Sequence, residues 1–460
     1  MEEQTKTQQP DPNKIQASPT KEFFISMLIK DITLIDAIGD LIDNSVDGAN
    51  RTAQHQKLDN LNNFEIKIKT LPTKFEIEDN CGGIDIDIAR KYAFRFGRPT
   101  DQVYKMEKHS IGQFGIGMKR AFFKIGNYIV VKSVAKKSKF ETILNVKTWR
   151  IKEDWDFPLT PHDNLPTIPL ADRGTSITIT DLTDDSKNNF GPDNNFETNL
   201  IDEITFYHLF SIRRGLKISI NGKVIKLSQL PNLSLIYDKD FKPAYWHKKF
   251  ENGLSVEIFS GISEDKGDDG GWYIFCNDRL ITGPDTSATT GWTGSKGQGA
   301  DGVAVYHDQF YRFRGYVFFN ANDASKLPWT TTKTAMDMDS GIYQYIRTQM
   351  IEMMKPVMTL MNQLKKEKEK DSPKSERVLN YKVEQAKIIS ISEVLKEKNK
   401  LNDSFVYPKL KAAPPTGMGN ITYKKPYSEI DKVKNYFKVN KLGEVGEKTF
   451  DYFYNDKIGK

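Results

Sequence analysis

The sequence predicts an α/β (α+β) fold, with helices and strands interleaved through the first half and strands followed by a long helix in the second. Three observations carry that reading. Residues 37–50, AIGDLIDNSVDGAN, extended back one turn, place Leu34, Ile38, Leu41, Ile42 and Val46 along one apolar helical face. Residues 64–70 and 74–78 alternate apolar and polar side chains, as a hairpin does. From about residue 243 the pattern turns to strands and tight turns, and it closes in a helix predicted over 341–370.

Composition bounds the rest. A chain of 460 residues accommodates two or three domains, and 38% hydrophobic against 28% charged residues gives a lean core. No run approaches the ~20 apolar residues of a membrane helix, so no membrane partner is expected. The start, MEEQTKTQQPDPNK, is polar and lacks the apolar core of a secretory leader; residues 1–18 are expected to be disordered. Cys81 and Cys276 stand far apart without neighbouring Cys or His, which argues against a disulfide or zinc site and for a cytoplasmic location. The formal charge of +6 is uneven, because 18 Lys and Arg face 12 Asp and Glu from Asp371 onward. That excess permits nucleic-acid contact and equally suits a solvated tail.

Taken in order, a helix over 21–30 precedes the amphipathic one. On the latter, Asp40, Asn44 and Asp47 are spaced by four and three residues and share one edge. An acid and an amide one turn apart can position a water and a metal ion together. The hairpin's second strand runs into Asp79-Asn80-Cys81-Gly82-Gly83-Ile84, where a strand-end carboxylate can accept from an exocyclic amine. After the polar stretch 94–110 comes Ile111-Gly112-Gln113-Phe114-Gly115-Ile116-Gly117-Met118-Lys119, opening a helix at Met118. Backbone amides at such a helix start bind phosphate, and Lys119 can add charge. No Gly-Lys-Ser/Thr closes this loop and no strand feeds it, so it is neither a Walker loop nor a Rossmann turn. Strands follow at 128–134, 140–146 and 176–180, the last opened by Gly174-Thr175. A helix over 200–212 leads to a strand at 217–220 and an Asn221-Gly222 hairpin turn.

Four elements in one order, DLIDNSVDG, DNCGGI, IGQFGIGMK and GTSITI, resemble the GHKL ATPases, the family of DNA gyrase B, MutL, histidine kinases, heat-shock chaperones of the ninety-kilodalton class and MORC proteins. The resemblance covers roughly the first half and implies a Bergerat-type sandwich with ATP between helices and a mixed sheet. By resemblance, Asn44 holds Mg²⁺, Asp79 takes the adenine amine, and Gly83 keeps the adenine pocket open. Gly112, Gly115 and Gly117, with Gln113, Phe114, Ile116, Met118 and Lys119 around them, cradle the phosphates under a lid formed by the preceding loop. Thr175 sits beside the adenine end. Asp40 stands where the family usually has the glutamate that activates water. It is shorter by about 1.5 Å, and misplacement on that scale costs about 100-fold, so slow hydrolysis is expected. Cys81 replaces a usual glycine, which suggests a locally altered turn.

In the second half, a strand entering a turn at 272–281, a glycine-rich stretch at 291–302 and a strand at 310–319 precede Leu327-Pro328-Trp329-Thr330-Thr331-Thr332-Lys333-Thr334. This resembles the transducer domain of gyrase, MutL and MORC proteins, whose loop lysine reaches the ATP γ-phosphate; Lys333 matches it. The expected organisation is an ATP-binding domain over 19–240, a transducer domain over 241–370, and a linker with a small basic helical region over 371–460. The function implied is an ATP-dependent homodimerising switch acting on DNA, closest in pattern to MORC-like ATPases linked to defence or restriction. A chaperone-like or scaffolding ATPase acting on protein, and a slow ATP sensor, are the alternatives.

Overall fold

The computed structural model describes residues 17–97, 110–112, 115–192, 194–264, 269–293, 305–369, 377–409 and 421–459. The start of the chain, residues 98–109 of the expected lid, Gln113, Phe114, the glycine-rich residues 294–304 and the linker at 411–417 lie outside them.

Helix α1 (Lys21–Ile29) precedes α2 (Leu34–Gln56), whose start is set by a reciprocal cap between Thr33 and Asp36. The hairpin β1 (Glu65–Leu71) and β2 (Lys74–Asp79) pairs antiparallel as predicted. A short turn, α3 (Ile86–Ile88), runs into a π-helical turn at Ala89–Ala93, and α4 (Gly117–Ile125) opens behind the glycine loop. Strands β3 (Gly126–Val134) and β4 (Lys139–Asn145), helix α5 (Val146–Arg150), and strands β5 (Thr160–His162) and β6 (Gly174–Leu182) follow. Next come α6 (Asp184–Asn189), α7 (Phe196–Tyr207) and α8 (Leu209–Arg213). The helix expected over 200–212 is therefore two helices, which part at His208. Strands β7 (Lys217–Ile220) and β8 (Lys223–Val224) meet across Asn221 and Gly222, both at positive φ, as the turn signal required.

Among the described residues the first sheet runs β5-β4-β3-β6-β2-β1-β7-β8, antiparallel except for β1 against β7. Helix α2 packs beside α4, and Leu34, Ile38, Leu41, Ile42 and Val46 are buried, as the apolar face predicted, with Ala37 and Ala49 buried beside them. At one flank Lys21 is buried, with its ammonium 4.2 Å from the centre of the Trp149 ring and 2.9 Å from the Trp149 and Lys152 carbonyls. That contact fastens α1 to the segment after α5.

The second sheet is built from β10 (Ala244–Lys249), β11 (Leu254–Ile262), β12 (Gly271–Cys276), β13 (Arg279–Asp285) and β14 (Phe313–Ala321), in the order β10-β11-β14-β12-β13. β12 and β14 run parallel. Helix α9 (Gly341–Glu369) lies against β11 and β14, burying Met350, Met354, Val357 and Met361.

The expected boundary at 371 does not divide this packing. Glu367 near the end of α9 accepts from the amides of Leu379 and Asn380 at the start of α10 (Val378–Gln385). Strand β15 (Ile388–Ser390), ahead of α11 (Ile391–Glu397), pairs with β9 (Ser234–Ile236). The chain divides instead into two compact units, Met1–Pro408 and Lys409–Lys460. In the second, α12 (Tyr427–Phe437) and α13 (Leu442–Lys457) pack as a hairpin. Of its described residues only Val445 is buried, and the aromatics Tyr427, Tyr436 and Phe453 are exposed.

Candidate active site

The site begins at the end of β2. Asp79 is fixed from three sides: Cys81 N donates to Oδ1 at 2.8 Å, Thr175 N to Oδ1 at 3.3 Å, and Ser45 Oγ to Oδ2 at 2.6 Å. Burial pushes its carboxyl above the usual range, against the pull of those donors. Asp79 stands in a cleft of about 450 Å³, mouth included, with Leu41, Ile77, Ile84, Met118 and Ile177 as apolar walls. A flat heterocycle fits between such walls, and a fixed acceptor among them selects an amine edge. Thr175, Gly83 and Asn44 line the same cleft.

Two glycines permit close approach at the site. At Gly83, φ is +71° and a Cβ would lie 2.0 Å from the Val134 carbonyl oxygen, so glycine lets the turn close onto β3 as well as leaving the cleft open. At Gly117 a Cβ would lie 3.0 Å from Asp40 Cγ, so the helix start can sit directly on that carboxylate. Cys81 is accommodated by a neighbour: it is buried, and a Cβ at Gly48 would stand 3.3 Å from Cys81 Cβ.

The glycine loop is held from α2. Asp47 accepts from the amides of Ile111 (2.8 Å) and Gly112 (2.9 Å) and from Ser110 Oγ (2.8 Å). Of the acids on the expected polar edge, Asp47 thus anchors the loop, while Asn44 keeps an exposed side chain toward the cleft. Ile116 N-caps α4 without a side-chain hydrogen bond, which leaves the first amides of the helix to an anion. Lys119 differs from expectation. Its ammonium is buried, donates to the carbonyls of Ala93 (3.0 Å) and Gly115, and lies 5.9 Å from the centre of the Phe96 ring. Burial lowers it to about 7. It ties the glycine loop to the π-helical turn and does not line the cleft.

The residues that sequence reasoning placed far apart meet behind the glycine loop. Lys333, at φ +58° on the loop after β14, puts its ammonium 3.0 Å from Asp40 Oδ1 and 2.7 Å from Asp43 Oδ2. Arg120 from α4 donates to Asp40 Oδ2 through Nε (3.1 Å) and Nη2 (2.5 Å). Arg279 from β13 donates through Nε to Asp43 Oδ1 (3.0 Å) and through Nη1 to the Lys333 carbonyl, with its guanidinium 4.3 Å from the centre of the Tyr207 ring. All five charged side chains are buried. Burial works against the Asp43 carboxylate, yet Arg279 and then Lys333 hold it well below the ordinary carboxyl range. Burial likewise opposes the Lys333 ammonium, and Asp43 and Asp40 outweigh it and raise it. His208 Nε2 lies 3.4 Å from Asp43 Oδ1 without the alignment of a hydrogen bond, and burial lowers the imidazole to about 4.

Sequence reasoning did not single out Asp43, Arg120, Arg279 or His208. Asp43 carried a signal, three residues after Asp40 on the same helix. Arg120 adjoins Lys119. Arg279 and His208 carried none, because the docking of the second sheet brings Arg279 to α2 and the packing of α7 on α2 brings His208 there.

A cleft with a fixed acceptor at one end and a glycine loop opening a helix nearby can take an amine edge at the first and an anion at the second. Residues 32–175 match the family model described as Histidine kinase-, DNA gyrase B-, and HSP90-like ATPase. That stretch contains Asp40, Asn44, Asp79, the glycine loop and Thr175; the match supports the GHKL superfamily, ATP binding and an ATPase-type activity. No curated protein matches the chain. Among the described residues, no helix is long and apolar enough to cross a membrane.

Proposed function

We propose that the chain is a Mg²⁺-dependent, ATP-hydrolysing molecular switch that dimerises on binding ATP and acts on DNA. The observation that carries this reading is the seat of Lys333, a lysine from the second-sheet module resting on Asp40 and Asp43 of the first. Both oxygens of Asp40 are engaged, Oδ2 by Arg120 and Oδ1 by Lys333. A carboxylate in that state has no oxygen free of a cation with which to activate water. A terminal phosphate entering over Gly117 competes for Lys333, and the lysine's departure frees Oδ1. Loss of that phosphate returns the lysine. Because Arg279 grips the Lys333 carbonyl, the loop's movement is passed to β13 and the second sheet.

The donor set fits a magnesium ion held mainly by phosphates. Asp40 and Asp47 are committed to other partners, and Asn44 offers one amide oxygen at the cleft. Mg²⁺ keeps most of its waters and binds through few protein groups plus substrate phosphates, and Asn44 would hold it here. DNA as client follows from the resemblance to MORC-like ATPases, and the positive excess after Asp371 permits it.

The test is sedimentation of the native protein and Asn44→Ala with Mg²⁺ and a non-hydrolysable ATP analogue. A monomer-to-dimer shift that the variant loses supports the switch. Bound analogue without a shift removes dimerisation from the reading, and absent nucleotide binding removes the reading itself. Titration with duplex DNA at two salt concentrations, with and without the analogue, decides the client; no salt-dependent binding in either state turns the reading to a protein client.

A further inference from the structure

We propose that Arg120 is a positioning residue for hydrolysis, one that assigns the two oxygens of Asp40 to different tasks. The inference rests on the ATPase reading above, with Asp40 as the base. Arg120 places two N–H groups on the same oxygen, Oδ2, at 3.1 and 2.5 Å, and leaves Oδ1 to Lys333. The guanidinium also donates to the Thr331 carbonyl at 3.3 Å, so it spans Asp40 and the loop that carries Lys333. It cannot swing away easily, because its side chain is 6% exposed and its backbone sits within α4.

Those contacts separate two functions that one carboxylate must combine. Lys333 can leave for a terminal phosphate. Arg120 stays, and Asp40 keeps a counter-charge while buried against Gly117. The freed oxygen is then always Oδ1, at an orientation set by the fork on Oδ2. A side chain one methylene shorter than glutamate reaches its water only from a defined position, and the guanidinium supplies that position. Arg120 acts through Asp40, and it is the Asp40 orientation, not nucleotide affinity, that depends on it.

The experiment is a double-substitution cycle with Arg120→Met, Arg120→Lys and Asp40→Ala, read by single-turnover ATP hydrolysis and by analogue binding to the full chain. Arg120→Met is expected to lower the rate about 100-fold, the scale of an ångström's misplacement, with analogue affinity within about threefold of native. Arg120→Lys is expected to recover part of the rate, since an ammonium supplies the charge without the fork. In the Asp40→Ala background, Arg120→Met is expected to change the residual rate by less than about threefold. An equal loss in both backgrounds overturns the proposal, and so does a native rate in Arg120→Lys together with lost nucleotide binding in Arg120→Met. If Arg120→Met does not fold, Arg120→Lys carries the test: a native rate refutes positioning, and a reduced rate at native affinity, absent from the Asp40→Ala background, upholds it. Native protein that binds the analogue while these predictions fail leaves the ATPase reading standing; native protein that binds no nucleotide removes both.

Discussion

Replacing Asp43 with asparagine removes one negative charge from the centre of the buried network and keeps its volume. Asp43 is fully buried and is touched by Arg279 Nε at 3.0 Å, Lys333 Nζ at 2.7 Å and His208 Nε2 at 3.4 Å. In Asp43→Asn, Lys333 retains Asp40 at 3.0 Å, but Arg279 loses the carboxylate it donates to and stays 2% exposed. Breaking a buried ion pair by removing one partner costs about 3–5 kcal/mol, because the other charge remains desolvated. At about 2 °C per kcal/mol for a large unit, calorimetry of the full chain at pH 7 should show Tm lowered by about 6–10 °C. Asp43 has its folded pKa depressed, so its contribution is present above the unfolded carboxyl value of about 3.9 and is lost only as pH falls through the lower folded value. The gap between native and variant should therefore hold from about pH 5 to pH 8 and close only in strong acid. Adding Lys333→Met to Asp43→Asn should cost less than the sum of the single changes, since both remove the same Lys333–Asp43 contact, which the sum counts twice. A Tm within about 2 °C of native for Asp43→Asn, or strict additivity of the pair, refutes the reasoning.

Asp79→Asn should weaken binding of the ATP analogue by about 10- to 100-fold by equilibrium titration, the scale of a lost hydrogen bond to a charged group, with the Ser45 contact retained. Gly83→Ala should destabilise by at least about 2 kcal/mol in denaturant unfolding, because it combines a left-handed backbone with a Cβ driven into the Val134 carbonyl. His208 is lowered to about 4 while the unfolded chain titrates near 6.5, so between those values the unfolded state binds the extra proton and stability rises with pH. His208→Gln should flatten that rise in melting curves taken between pH 4 and 7; an unchanged slope would assign it to other groups.

Much of this protein was legible along the chain, because the physics involved is local. The apolar face of α2, the alternation of β1 and β2, the Asn221-Gly222 turn and the glycines before α4 all express preferences a few residues long, and each element formed where its pattern lay. Asn44, Asp79, Gly83, Met118 and Thr175, picked out from separate motifs along the chain, line one cleft. What the sequence could not decide was which side chains are spent on structure. Lys119, a candidate for the phosphates, and Asp47, on the polar edge of α2, are consumed in holding the glycine loop, and nothing in their neighbours distinguishes a loop anchor from a ligand. Nor does any spacing announce that Arg120, Arg279 and Lys333, 213 positions apart from first to last, converge on two aspartates of one helix turn. Electrostatic partnership in a low-dielectric interior depends on distance and burial, which arise only when α4 packs on α2 and the second sheet docks on the first. The sequence by itself determined the local elements, because their preferences span a few residues; the tertiary structure alone decided that Asp40 rests between two cations.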